Sequence, residues 1–161
     1  HYSNFDNMLM FLYIGILIVI VQGRLIHGLS KKFGEKKLIT AGCSLLVLGL
    51  LLTPLSDNSI LLYLALGILA FGSGINTPSN QSLLSKLADD DVQGGVLGVG
   101  QSLSTMGRIL GPAVGGIAFQ EWGATSPYII GACAMVVCVV LSVLLPEVSH
   151  LNSQKQENPA N

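Results

Sequence analysis

Gly28-Leu29-Ser30-Lys31-Lys32-Phe33-Gly34-Glu35-Lys36-Lys37 is a short, strongly basic turn set between two apolar runs, and it decides where this chain sits. The uncharged stretch before it runs from Asn7 to Gly23, and the one after it from Leu38 to Ser56. At a helical rise of about 1.5 Å per residue, each comes close to the roughly 30 Å thickness of a bilayer's hydrocarbon core. The chain therefore reads as a membrane protein. Composition agrees: 50% of the 161 residues are hydrophobic and 11% are charged, where a soluble domain carries about 25% charged residues.

Three further uncharged intervals follow, Asn58 to Ser85, Val92 to Gln120 interrupted only by Arg108, and Trp122 to Pro146. The pattern predicts an all-α polytopic membrane helix bundle of five spans, at about 8–26, 38–53, 60–79, 94–118 and 127–145. Loops must alternate sides. One set contains Lys31, Lys32, Lys36, Lys37, Lys86 and Lys155, while the other, at 2–7, 54–59 and 119–126, contains no Lys or Arg. Cationic loops stay on the inner side, so the first set and the C-terminus are expected in the cytoplasm of a plasma (inner) membrane protein, and the N-terminus outside. With His1 at the start and an odd number of spans, a preceding span is expected upstream. Residues 1–149 are assigned to the transmembrane domain, and the polar stretch 150–161 to a disordered cytoplasmic tail.

Several functions find no support in the residues. Cys43, Cys133 and Cys138 fall inside spans with no metal-ligand spacing, no Gly-Lys-Ser/Thr phosphate loop is present, and a net charge of −1 says little about partners. No metal, cofactor or nucleic-acid partner is expected, nor an enzyme, since His1, His27 and His150 converge with no nucleophile or acid pair. All nine acids lie in loops, tails or span ends, so none is placed as a proton relay at the midplane.

The fourth expected span concentrates glycine at 94, 95, 98, 100, 107, 111, 115 and 116. Helices in lipid gain nothing hydrophobic by meeting, so small residues four apart let two backbones approach and add dispersion contacts. Gly107, Gly111 and Gly115 are expected on one tight crossing, with Pro112 kinking the helix beside it. Ordinary helix packing is the alternative. Arg108 lies mid-span, where a guanidinium costs about 2.5 to 3.5 kcal/mol. Two readings stay open: it holds an anionic group or a distant charge, or it caps carbonyls freed near Pro112. The third span ends in the polar run Gly72-Ser73-Gly74-Ile75-Asn76-Thr77-Pro78-Ser79-Asn80-Gln81. Asn76, Thr77 and Asn80 share a face and either line a polar passage or bond between helices, as do Gln101, Ser102, Ser104 and Gln22.

The basic turn resembles the loop motif of the major facilitator superfamily as it occurs between helices eight and nine of those transporters. Lys32, Gly34, Lys36 and Lys37 match it, whereas Lys31 replaces an acid, Glu35 interrupts the basic run and Gly28 comes one place late. The stretch 107–116 is similar to the Gly-Pro-x-x-Gly-Gly signature of helix eleven, through Gly111, Pro112, Gly115 and Gly116. Order and distance then align the five spans with helices eight to twelve, an incomplete six-helix C-terminal half most like the drug and metabolite exporters.

That resemblance implies alternating access between two six-helix halves around a midplane site. It implies a gate loop at Lys32, Gly34, Lys36 and Lys37, a packing hinge at Gly107, Gly111, Pro112, Gly115 and Gly116, and a cavity lined by Asn76, Thr77, Asn80, Gln101 and Arg108. The second and fifth spans would face lipid. The partners implied are the bilayer, the missing N-terminal half and a small-molecule substrate moved by efflux. A rival reading is a stand-alone oligomeric scaffold or assembly protein whose glycine seam joins copies of itself.

Overall fold

A computed structural model describes residues 4–89 and 91–144. The expected tail at 150–161, and Leu145 at the end of the last expected span, lie outside them. The described residues are helical throughout their length apart from short turns. α1 (Asn4–Ile20) continues through a π-helical turn at Val21–Leu25 into α2 (Ile26–Phe33), and is followed by α3 (Glu35–Leu52), α4 (Ser59–Leu87), α5 (Gln93–Trp122) and α6 (Ser126–Leu144).

Local chemistry sets the ends. Gly34 adopts φ 77°, a left-handed conformation that a side chain resists, and so turns the chain sharply between α2 and α3. Asn58 caps α4 by accepting from the Ile60 amide, and Gly123, at φ 88°, ends α5. Pro78 does not end its helix, which runs on to Leu87. The proline removes only the bond to the Gly74 carbonyl. Next to it, Ser79 Oγ donates to the Ile75 carbonyl at 2.7 Å and Asn80 Nδ2 to the Asn76 carbonyl at 3.0 Å, so side chains support the loosened turn.

Among the described residues four segments are long and apolar enough to cross a membrane: Met8–Leu25, Glu35–Leu55, Ser59–Leu87 and Ser126–Leu144. The remaining expected span, α5, has 30 residues and ample length, but its glycines, amides and Arg108 dilute its apolarity. Five spans are thus met by four on length and composition, and by α5 on length alone.

α3 sits at the centre, packed most extensively on α4 and then on α6, with α1 against the other side of α4. The closest crossing uses glycines that the sequence pattern did not single out. A Cβ on Gly72 would stand 2.9 Å from the Gly42 carbonyl oxygen, and one on Gly42 3.1 Å from the Gly72 carbonyl oxygen. Leu69 fills the space beside Gly49, and the fully buried Val21, in the π-helical turn, fills that beside Gly74. The Tyr13 hydroxyl seats against Gly67 while its ring meets Tyr63 edge-on, 5.6 Å between centroids.

The expected seam on α5 is instead open: within the described structure nothing comes within 4 Å of a Cβ built on Gly107, Gly111 or Gly116, and Gly115 meets only Pro127 at 3.8 Å. α3 turns an exposed stripe outward, Lys37, Ala41, Ser44, Leu48 and Leu51, and α6 exposes Val136, Val140 and Val143. These faces suit lipid, although α4 and α6 enclose the other sides of α3.

Candidate functional site

Two helices create a polar cleft of about 800 Å³. α5 contributes Leu97, Gln101, Ser104 and Arg108, which recur at helical spacing on one face, and α4 contributes Asn76, Thr77, Asn80, Gln81 and Leu84. The five cavity candidates named from the sequence, Asn76, Thr77, Asn80, Gln101 and Arg108, therefore border a single space. The helices touch at the lysine-bearing end of the bundle. There Leu84 Cδ1 lies 2.8 Å from the position of a Gly100 Cβ, and Gln93 Nε2 donates to the Ser85 carbonyl at 3.1 Å and reaches its hydroxyl. A Cβ on Gly100 would meet only this terminal methyl of Leu84, which can turn aside, so the contact marks where the helices approach without forbidding a small side chain.

Inside the cleft, side chains divide into committed and uncommitted groups. Asn76 Oδ1 accepts from Asn80 Nδ2 at 2.8 Å and faces Cys43 Sγ of α3 at 3.8 Å. Those two asparagines hold each other, as helix-stabilising pairs do. By contrast, the side chains of Thr77, Gln101, Ser104 and Arg108 bond to no described residue. Arg108 sits halfway along α5 and makes no bond to carbonyls near Pro112 among the described residues. Among the described residues no carboxylate lines the cleft.

The basic turn holds a residue whose role sequence reasoning missed. Glu35, treated there as an interruption, is buried and accepts on Oε1 from Ser30 Oγ of α2 at 3.0 Å, Ser82 Oγ of α4 at 3.0 Å, and Lys86 Nζ of α4. It ties the turn to the end of α4. The signal available was a lone acid among four lysines, but its partner is 51 residues away. Around it, Lys32 lies over the Phe33 ring at 5.4 Å, Lys37 is exposed, and Gly34 makes the turn. Glu35→Ala is expected to cost about 1.5–3 kcal/mol, since it removes the acceptor of several charge-assisted bonds. Lys86→Ala, at a half-exposed partner, is expected to cost about 0–1 kcal/mol. Thermal unfolding of the two variants checks the order, and equal losses would show that Glu35 is no hub.

The sequence model of the Major Facilitator Superfamily matches residues 5–160. The chain belongs to that superfamily. It is 32% identical over 129 residues to the class C tetracycline resistance protein of Escherichia coli, covering 78% of this chain and 32% of that protein. It is 28% identical over 116 residues to the multidrug resistance protein MdtG of Erwinia billingiae (strain Eb661), covering 71% of this chain and 28% of the relative. Among solved structures, the peptide transporter POT superposes with a TM-score of 0.73 at 20% identity, over 84% of this chain and 28% of that one, a likeness of fold. The chain thus spans about a third of the length of the curated relatives it matches. Membership makes it an integral, multi-pass membrane protein of a solute-transport superfamily, built as an all-α helix bundle.

Proposed function

We propose that the α4/α5 cleft is part of the substrate path of a secondary transporter that works by alternating access and exports a drug-like or metabolite solute. The observation that carries this is convergence: polar residues from two helices, separated by up to 32 positions between Asn76 and Arg108 (108 − 76), border one roomy space with their hydrogen-bonding groups largely unspent. Supporting it, the relatives bear the names tetracycline resistance and multidrug resistance.

On this reading residues 1–149 belong to a C-terminal half that works against an N-terminal half. Its lysine-bearing end and C-terminus face the cytoplasm, in a plasma (inner) membrane protein. Lys32, Gly34, Lys36 and Lys37 form the gate loop. Gly107, Gly111, Pro112, Gly115 and Gly116 form the hinge against the other half, which accounts for a glycine face that, apart from Pro127 beside Gly115, no described residue covers.

The test uses the full-length protein in membrane vesicles, in a cysteine-free background. Gln101→Cys and Ser104→Cys are expected to react with a charged, water-soluble thiosulfonate about 100-fold faster than Val140→Cys on the outer face of α6, because a charge in lipid costs about 2.5 to 3.5 kcal/mol. Their rates should also change when an ion gradient is imposed. Cleft positions as inert as Val140→Cys, or indifferent to every gradient, would sink the proposal.

A further inference from the structure

Among the described residues Arg108 is the sole charged one bordering the cleft, and it forms neither an ion pair nor a hydrogen bond with any of them. On an α-helix a long side chain leans back over the preceding turn. For Arg108 that turn carries Ser104, and beyond it Gln101, both with free side chains in the same cleft. The guanidinium is planar, permanently charged and forked, a shape that pairs with a carboxylate through two parallel hydrogen bonds. With no acid among the described lining residues to neutralise it, the site has an excess of positive charge at its Arg108 end.

The opposite end is apolar. Leu97 on α5 and Leu84 on α4 close the cleft where the helices touch, about 16 Å from Arg108 along the axis, given a rise of about 1.5 Å over eleven residues. We infer that the cleft selects an amphipathic organic monoanion, its carboxylate on Arg108, its polar flank on Gln101 and Ser104, and its apolar body toward Leu84 and Leu97. This inference rests on the cleft being a substrate path, and adds to it the charge and polarity of the substrate. It also accounts for the cost of an arginine at mid-helix: a bound anion is the counter-charge that the described residues lack.

The experiment measures binding of radiolabelled biphenyl-4-carboxylate and of its neutral isostere, biphenyl-4-carboxamide, to the full-length transporter in lipid nanodiscs. Subtracting protein-free nanodiscs of the same lipid cancels partition of both probes into the bilayer. Wild-type protein is expected to bind the carboxylate at least about tenfold more tightly than the amide. Arg108→Gln should bring that ratio to about one, and Arg108→Lys, which keeps the charge but not the fork, should leave it in between. The intermediate value in Arg108→Lys shows that this variant is folded, and saturable binding of the amide retained by Arg108→Gln shows the same of that one. Equal affinity for both probes, absence of saturable carboxylate binding, or a preference that survives in Arg108→Gln would overturn the inference. The two readings separate cleanly. A charge preference with no gradient-dependent thiol labelling keeps the anion site and rejects transport, whereas gradient-dependent labelling with no preference keeps transport and rejects the anion site.

Discussion

Gly72→Leu is expected to destroy the folded bundle. A Cβ at this position would lie 2.9 Å from the carbonyl oxygen of Gly42 and 3.1 Å from the amide nitrogen of Leu46, both backbone atoms of α3 that cannot swing aside. Accommodating even a methyl group requires α3 and α4 to separate, and these are the two most extensively packed helices in the structure. Overpacking of this kind costs about 1–3 kcal/mol for small insertions. A full leucine at a backbone-to-backbone crossing exceeds that range, against a total stability of about 5–15 kcal/mol. Gly72→Ala is expected to lower the melting temperature while leaving the protein extractable, and Gly72→Leu to yield aggregated protein. Gly15→Leu, at a span position with nothing within 4 Å, is the matched control and should behave as wild type. Size-exclusion profiles and thermal melts of the full-length protein in detergent decide it, and a Gly72→Leu melt equal to that of Gly15→Leu would show that this crossing does not hold the fold.

Gly111→Leu should do the reverse, sparing the packing of these helices and stopping transport. Nothing within 4 Å meets a Cβ at Gly111 in the described structure, so a leucine meets no steric cost here. If the face of Gly107, Gly111 and Gly115 closes on another half, the same leucine holds two backbones apart where their approach is the source of attraction. A penalty of about 1–3 kcal/mol on the closed state corresponds to about five- to 150-fold in the population that can complete a cycle. Melts of Gly111→Leu near wild type, together with solute efflux reduced by such a factor, are the expected pair of results. Wild-type efflux would reject the seam. A stable oligomer of wild-type protein that Gly111→Leu dissociates, with no efflux from either, would favour the oligomeric scaffold.

Which glycines pack was the main point at which pattern and structure parted. Repetition at four-residue spacing drew attention to α5, yet the tight crossing lies at Gly42 and Gly72, neither of which has another glycine four residues away. A spacing rule detects a stripe on one helix; it carries no information about the helix opposite. Glu35 illustrates the same limit. Its position in a basic turn was visible, whereas its bonds to Ser82 and Lys86 depend on α4 running past Pro78 to reach it. The π-helical turn at Val21–Leu25 also left no periodic trace, because a single wide turn shifts the later register without altering composition.

The chain by itself determined its solvent, the positions of its helices and the polar residues that needed shelter. Lipid forces every backbone polar group into helical bonds and every charge toward the ends, so charges alone nearly mark the boundaries, and Arg108, Asn76 and Gln101 stand out as exceptions. Only the tertiary structure decided that these exceptions share one cleft, that Leu84 and Gly100 close it at one end, and that Gly42 and Gly72 carry the central crossing. The reason is angular. Each residue turns a helix by about 100°, so the residues that face each other across two helices depend on rotation and register, which are fixed by packing between distant segments and not by either segment alone.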